Sequence, residues 1–234
     1  MALSPAQRHS AMIQAQRKLD NQQAIAGWDS LHIQVRAMES DIARLRNLPT
    51  IADRILMKRD VLLPRWQPTV EAYLAAGDVH ANPIFAWCVI WLFDVGDFDL
   101  GLDWVDIAIA QRQQTPDRMR RSFAAFAADT VLAWAEEEAA QGNSVEPYFS
   151  RTFENVRDNW RLHEEISAKW FKFAGLMLLR DDNGEPRATA VDDVATLEQA
   201  DNLLLQAHAF DPVGAKVKTH RQRIAARLRA LAKE

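Results

Sequence analysis

The sequence of 234 residues has little of what several classes of protein require. Its single cysteine, Cys88, excludes a framework of intramolecular disulfides. The apolar run from Phe85 to Phe93 is far shorter than the roughly 20 residues that span a bilayer. The first residues also lack the apolar region of a secretory signal. We therefore expect no membrane contact and a cytoplasmic location, with Cys88 as a small buried hydrophobe rather than a nucleophile.

The common catalytic motifs are missing as well. There is no glycine-rich phosphate loop of the G-x-x-x-x-G-K-[ST] or G-x-G-x-x-G kind and no G-x-S-x-G serine turn. His163 is followed by two glutamates but has no second histidine four residues away, so a zinc site is not predicted. The sequence thus gives no support for a motif-bearing ATPase, dehydrogenase or serine hydrolase, and we predict no catalytic residue, metal or cofactor.

A group of aspartates is better explained by helix structure than by metal binding. The spacing matches no calcium loop, whereas Asp97 or Asp99 would cap a helix and the others would lie on its solvated face. An enzyme that uses these carboxylates with a metal is the least favoured hypothesis. The group consists of Asp94, Asp97, Asp99, Asp103 and Asp106.

Composition predicts an all-α protein. Glycine is scarce at 8 residues, and few Val, Ile or Thr runs alternate with the period of two that strands show. The pattern predicts long N-terminal helices and then a core of antiparallel helical hairpins with helices at 83–95, 98–114, 117–141, 145–158 and 161–180. A final pair at 196–210 and 213–231, around Asp211-Pro212, resembles a tetratricopeptide hairpin.

Proline and polar segments divide the chain into three parts. Pro49 ends a helix, and the segment Leu62–Pro68 predicts a sharp reorientation of the backbone. A polar loop begins at Asp181. We predict an N-terminal helical region at 1–61 for DNA binding and coiled-coil-like contact, a helical core at 62–180 for oligomerisation, and a loop with a C-terminal hairpin at 181–234.

One N-terminal helix carries a narrow apolar seam, with apolar residues spaced alternately by three and four. Such a seam suits a partner helix in another subunit, but an ordinary amphipathic helix packed on its own domain explains it equally well. We take it as a candidate oligomer interface. The seam residues are Trp28, Leu31, Val35, Met38, Ile42 and Leu45.

Positive charge is concentrated in two places although the net charge is −4. The N-terminal arm to Lys18 has basic residues and no acid, and the following helix adds arginines, which makes this region a candidate DNA-binding surface. Its residues are Arg8, Arg17, Lys18, Arg36, Arg44 and Arg46. The last helix is an alternative basic surface, or merely the solvated face of a packed helix. Its residues include Lys216, Lys218, Arg221, Arg223 and Arg227.

Four segments occur in the order found in a known family. They are the start Ser4–His9, the stretch Leu62-Leu-Pro-x-Trp-x-Pro68, the run Trp91-Leu-Phe-Asp-x-Gly-Asp97, and Gly175-Leu-x-Leu-Leu-Arg180 before an acidic turn and a closing hairpin. Together they resemble the small terminase subunit of peduovirus-type tailed bacteriophages over nearly the whole chain. The matched Trp66, Asp94 and Asp97 would have structural roles.

The resemblance implies a non-catalytic subunit of a DNA-packaging terminase. Such a subunit recognises the packaging site on double-stranded phage DNA, forms a homo-oligomer, expected to be a ring, and recruits and regulates a large subunit with the ATPase and nuclease. We expect the loop at 181–195 to be longer than in other members, and we expect no strongly basic, low-complexity tail of the kind that some members carry beyond the last hairpin. The alternative hypothesis is a helical adaptor that binds only protein.

Overall fold

The computed structural model describes Arg17 and residues 30–181 and 183–233. These residues form helices joined by turns and loops, and no β-strand occurs among them, which confirms the predicted all-α fold. The chain divides into two compact units, one ending at Val95 and the other beginning at Gly96. Three of the predicted site residues, Arg8, Lys18 and Trp28, lie outside the described residues.

The first unit contains four α-helices among its residues 30–95. Helix α1 passes through residues 30–46, α2 is Ile51–Met57, α3 is Leu63–Ala76 and α4 is Pro83–Val95. Thr50 begins α2 by accepting a hydrogen bond from the backbone N–H of Asp53 at 3.0 Å. A π-helical turn, Lys58–Leu62, joins α2 directly to α3. Gly77 follows the last residue of α3 as its cap, and its φ of 73° is the left-handed conformation that glycine adopts readily.

The predicted break at Leu62–Pro68 was wrong, because the backbone stays helical from Ile51 to Ala76. Pro68 lies inside α3. The spacing of four places Leu62, Trp66 and Val70 on one face, and all three are buried. Burial of this face stabilises the helix more than the missing hydrogen bond at a single proline destabilises it.

Helix α4 is the apolar centre of the first unit. Its residues are buried around most of the helix circumference, including Cys88 and Trp91, and it packs against α3. Asn82 caps its first turn, since its Oδ1 accepts hydrogen bonds from the backbone N–H groups of Ile84 and Phe85 at 3.0 and 3.1 Å. Pro83 follows at the first helical position, where a missing N–H costs nothing.

The second unit contains six α-helices among its described residues. They are α5 (Phe98–Ala110), α6 (Phe123–Ala140), α7 (Tyr148–Glu154), α8 (Glu164–Met177), α9 (Val194–Phe210) and α10 (Lys218–Leu231). A π-helical turn, Asn155–Asn159, extends α7, and a short 3-10 turn, Ala188–Ala190, precedes α9. Asp97 caps α5 by accepting from the N–H of Leu100 at 3.2 Å, as its position predicted.

Close approach of α8 and α9 organises the C-terminal part of this unit. A Cβ atom at Gly175 would lie 3.0 Å from Cγ of Leu204 and 3.1 Å from the carbonyl oxygen of Ala200, so only glycine fits here without a shift. α10 packs on α9 and buries Ile224 with Leu204 in a common apolar cluster. α9 and α10 thus form the closing hairpin.

Candidate nucleic-acid interface

Helix α1 presents arginines on the face opposite its buried side. Met38, Ile42 and Leu45 are buried and define the inner face. At about 100° of rotation per residue, Arg36 lies opposite that face. Two further arginines lie to either side of Arg36 around the helix. These two, Arg44 and Arg46, are exposed like Arg36. Part of the predicted DNA-binding set therefore shares one outward surface.

A buried carboxylate fixes α1 against α3. Asp41 is 2% exposed, and its Oδ2 accepts a hydrogen bond from the indole Nε1 of Trp66 at 3.0 Å. Arg65 Nη1 lies 3.1 Å from Oδ2, and Arg44 Nη1 lies 3.2 Å from Oδ1. The guanidinium of Arg65 also lies over the Trp66 ring. Trp66, which matched the family pattern, is thus a buried structural residue and not an interface residue.

The apolar seam of α1 is divided between the chain's own core and its surface. Met38, Ile42 and Leu45 are buried within the first unit, which favours the ordinary amphipathic interpretation for that half. Leu31 and Val35 are half-buried. An interface between subunits on this helix would therefore involve its earlier turns. On the preceding arm, Arg17 is exposed and helical.

The basic surface of α10 is partly neutralised by contacts within the unit. Arg221 binds Asp201 through Nε and Nη2 at 2.8 and 3.0 Å, and Arg227 binds Asp192. Of the predicted residues, this leaves Lys218 and Arg223 on the outward face of the helix. Lys216 is exposed in the preceding turn. Two of the five predicted basic residues thus hold α10 to α9 and to the segment before α9.

His220 lies on the inner side of α10 in a positive environment. Burial lowers its pKa below the ordinary value of 6.5, and the charges of Arg223 and Lys172 lower the pKa further. A neutral imidazole is therefore favoured at neutral pH. Arg223 of α10 and Lys172 of α8 thus both act on this imidazole.

The structure reveals a third basic surface that the sequence pattern did not predict. The predicted helix from residue 117 begins only at Phe123, where the side chain of Ser122 caps it by accepting from the N–H of Ala125 at 3.2 Å. Residues 111–122 instead form a loop. Arginines recur along it with a single acid, Asp117, and the break at Pro116 was the signal that such a loop was present.

The aspartates form ion pairs and caps in their own units. Asp94 accepts from Lys58 Nζ at 2.7 Å in the first unit. In the second unit Arg151 bridges Asp103 and Asp106 at 2.8 and 3.0 Å. Among the described residues, no group of three His, Cys, Asp or Glu side chains is arranged to hold a metal ion.

The remaining candidates from the sequence are core residues. Cys88 is buried in α4, and burial raises the pKa of its thiol. Trp91 and Trp104 are buried too. None of the helices in the described part of the chain has the length and apolar character that crossing a membrane requires.

Two comparisons with known proteins agree with each other. A family model for the phage small terminase subunit matches residues 35–165. A protein of Haemophilus phage HP1 (strain HP1c1), named "Probable terminase, endonuclease subunit", is 38% identical over 222 residues, which is 94% of this chain and 78% of the phage protein. No solved structure matches the chain.

Proposed function

This chain belongs to the phage small terminase subunit family, and we propose that it recognises the packaging site on viral DNA and recruits and regulates the large terminase subunit. Membership in the family supports a role in DNA packaging. The proposed place of action is the cytoplasm of the bacterial host. Its proposed partners are double-stranded phage DNA, the large subunit and other copies of itself.

The outward face of α1 carries the DNA-binding part of the proposal. Arg36, Arg44 and Arg46 are exposed there, all within the segment that matches the family model, and Glu39 is the single acid among the exposed residues of 30–46. Such a face attracts phosphates through charge rather than base recognition. The arm residues Arg8, Arg17 and Lys18 extend the same positive segment in sequence.

Assembly into a homo-oligomer, proposed here as a ring, would give this small patch adequate affinity. Three arginines make few phosphate contacts in one chain, but copies held together act on one duplex with a high effective concentration. The half-buried Leu31 and Val35 are the described seam residues that are available for contact between copies. Leu31→Asp should therefore lower the mass of the assembly while the helical circular dichroism remains.

We propose that the chain itself is not catalytic. The HP1 relative carries the words "endonuclease subunit" in its name, and that name motivates a direct assay. Purified chain should leave supercoiled and linear DNA uncut in magnesium or manganese, and cleavage should require the large subunit. Cleavage by the chain alone, abolished by mutation of its own carboxylates, would refute this part of the proposal.

The test of DNA binding is light-scattering mass with and without a duplex that carries the phage end sequence. The wild type should form a multi-subunit particle that retains the duplex at moderate salt. Arg36→Gln with Arg46→Gln should weaken retention, because both arginines are exposed on the outward face of α1 and neither takes part in the Asp41 contacts that hold the helix.

A matched control removes the same charge elsewhere. Arg59→Gln with Arg157→Gln deletes two exposed arginines that bind the neighbouring aspartates Asp60 and Asp158, and it should leave retention unchanged. A plain monomer that ignores DNA would contradict the proposal. That result would instead support the adaptor hypothesis, in which the helices bind only protein.

A further inference from the structure

Two loops at one end of α6 together form a continuous grooved surface in the second unit. The loop of residues 111–122 joins α5 to α6, and residues 160–163 precede α8. Three shallow grooves lie along them. The middle groove shares Ser122 and Arg161 with the groove on one side of it. It shares Arg120 and Arg121 with the groove on the other side. Shared lining residues show that the grooves adjoin one another.

The surface has a large excess of positive charge. One carboxylate, Asp129, lines the grooves, and Arg121 binds it at 2.8 Å. The other arginines are exposed to solvent and are not neutralised by that acid. We call the basic residues of these grooves the arginine junction. They are Arg112, Arg118, Arg120, Arg121, Arg161 and His163.

The backbone beneath these side chains is held in place. Thr115 Oγ1 donates to the carbonyl oxygen of Arg121 at 2.9 Å, and the N–H of Met119 donates to the carbonyl oxygen of Pro116 at 2.7 Å. The buried Trp160 fixes the second loop, since its backbone N–H donates to the carbonyl oxygen of Asn155 at 2.7 Å. Binding to a fixed loop costs less ordering entropy than binding to a flexible one.

We propose that the arginine junction binds the phosphodiester backbone of duplex DNA, as a second contact in addition to the α1 face; this inference rests on the proposed function. Guanidinium groups match phosphate oxygens in pairs, and several on one surface suit a polyanion. The aromatic residues of the grooves, Phe123, Phe126 and Trp160, are buried. They offer neither a base-stacking platform nor the apolar anchor typical of a protein interface. The contact is thus with the backbone and independent of sequence.

The proposal is tested by Arg118→Gln, Arg120→Gln and Arg161→Gln in one variant of the full chain. All three side chains are exposed. The probe is a duplex of about 40 base pairs without a packaging site, titrated between roughly 50 and 200 mM salt. The triple variant should bind at least about tenfold more weakly at the low-salt end. Its plot of log affinity against log salt should be shallower by about 3, because each of the three arginines neutralises one phosphate.

A triple control keeps the change in net charge equal. It carries Arg59→Gln, Arg157→Gln and Arg187→Gln, three surface arginines that bind Asp60, Asp158 and Asp181. Affinity and salt slope should stay at wild-type values in this control. Replacement of the three junction arginines by lysine keeps the charge, so it should retain the slope. If the triple glutamine variant does not fold, Arg118→Gln and Arg161→Gln made singly should each make the slope shallower by about 1.

The outcomes separate this inference from the proposed function. If the wild-type chain binds no duplex at all, the proposed DNA recognition fails. If the wild type binds but the glutamine and lysine variants share its slope, the arginine junction is not a DNA contact, while the proposed function stands. If the glutamine variant instead loses affinity for the large subunit with its DNA slope unchanged, the surface docks an acidic protein, and the inference is overturned.

Discussion

Asp41 offers the sharpest test of how the first unit is held together. Asp41→Ala leaves the indole N–H of Trp66 buried without an acceptor, which costs about 1–3 kcal/mol. It also removes two ion pairs. Their arginine ends, Arg44 and Arg65, are 61% and 49% exposed, so solvent screening limits each pair to about 0–1 kcal/mol. We expect a total loss of about 1–5 kcal/mol in the free energy of unfolding.

Asp41→Asn separates the two contributions. The amide oxygen can still accept from Trp66, so this variant should lose about 1 kcal/mol. Urea unfolding should be followed by tryptophan fluorescence and by far-UV circular dichroism, because two units can unfold in separate transitions. Only the transition of the first unit should shift. Asp60→Ala is the control and should leave both transitions in place. Equal effects of the alanine and asparagine variants would refute the role of the buried hydrogen bond.

Three further predictions follow from buried contacts. Asn82→Ala removes the cap of α4 and should lower the unfolding free energy by about 1–2 kcal/mol in urea; an unchanged midpoint would show that the cap is dispensable. Gly175→Ala should lower the free energy of unfolding by about 1–3 kcal/mol, because the alanine Cβ would lie 3.0 Å from the Leu204 side chain. An equal or higher melting temperature would mean that α9 shifts easily. The pKa of His220 is lowered in the folded protein, so its contribution to stability is present above pH 6.5 and is lost as the pH falls through the folded pKa. His220→Gln should remove that part of the pH dependence of stability. NMR titration of the imidazole should find its pKa below 6.5.

The buried helix α4 and the cap of α5 could be predicted from short stretches of sequence. The apolar run around Cys88 predicted a buried helix, and α4 has the predicted bounds of 83–95. Asp97 or Asp99 was predicted as a cap, because a short polar side chain at the start of a helix accepts from its first turn, and Asp97 is the residue that does so. Such features depend on neighbours within one or two helical turns, so the sequence is sufficient to find them.

Helix boundaries near prolines were less predictable. Helices were predicted at 98–114 and 117–141 with only a short break at Pro116 between them, so α6 was expected to start at 117 and the loop of the arginine junction was missed. At Pro68 the opposite error occurred, since burial of Leu62 and Val70 keeps α3 continuous through the proline. In both places packing outweighed local propensity.

The sequence by itself determined that this protein is helical, that the apolar run around Cys88 is a buried helix, and to which phage family it belongs. Tertiary structure alone decided which charges remain available to a ligand. Arg221 and Arg227 are bound by aspartates 20 and 35 residues away. At the arginine junction, two separate loops bring their arginines to grooves whose lining residues include a single acid, Asp129. Charge partners distant in sequence are chosen by packing, and no local pattern encodes them.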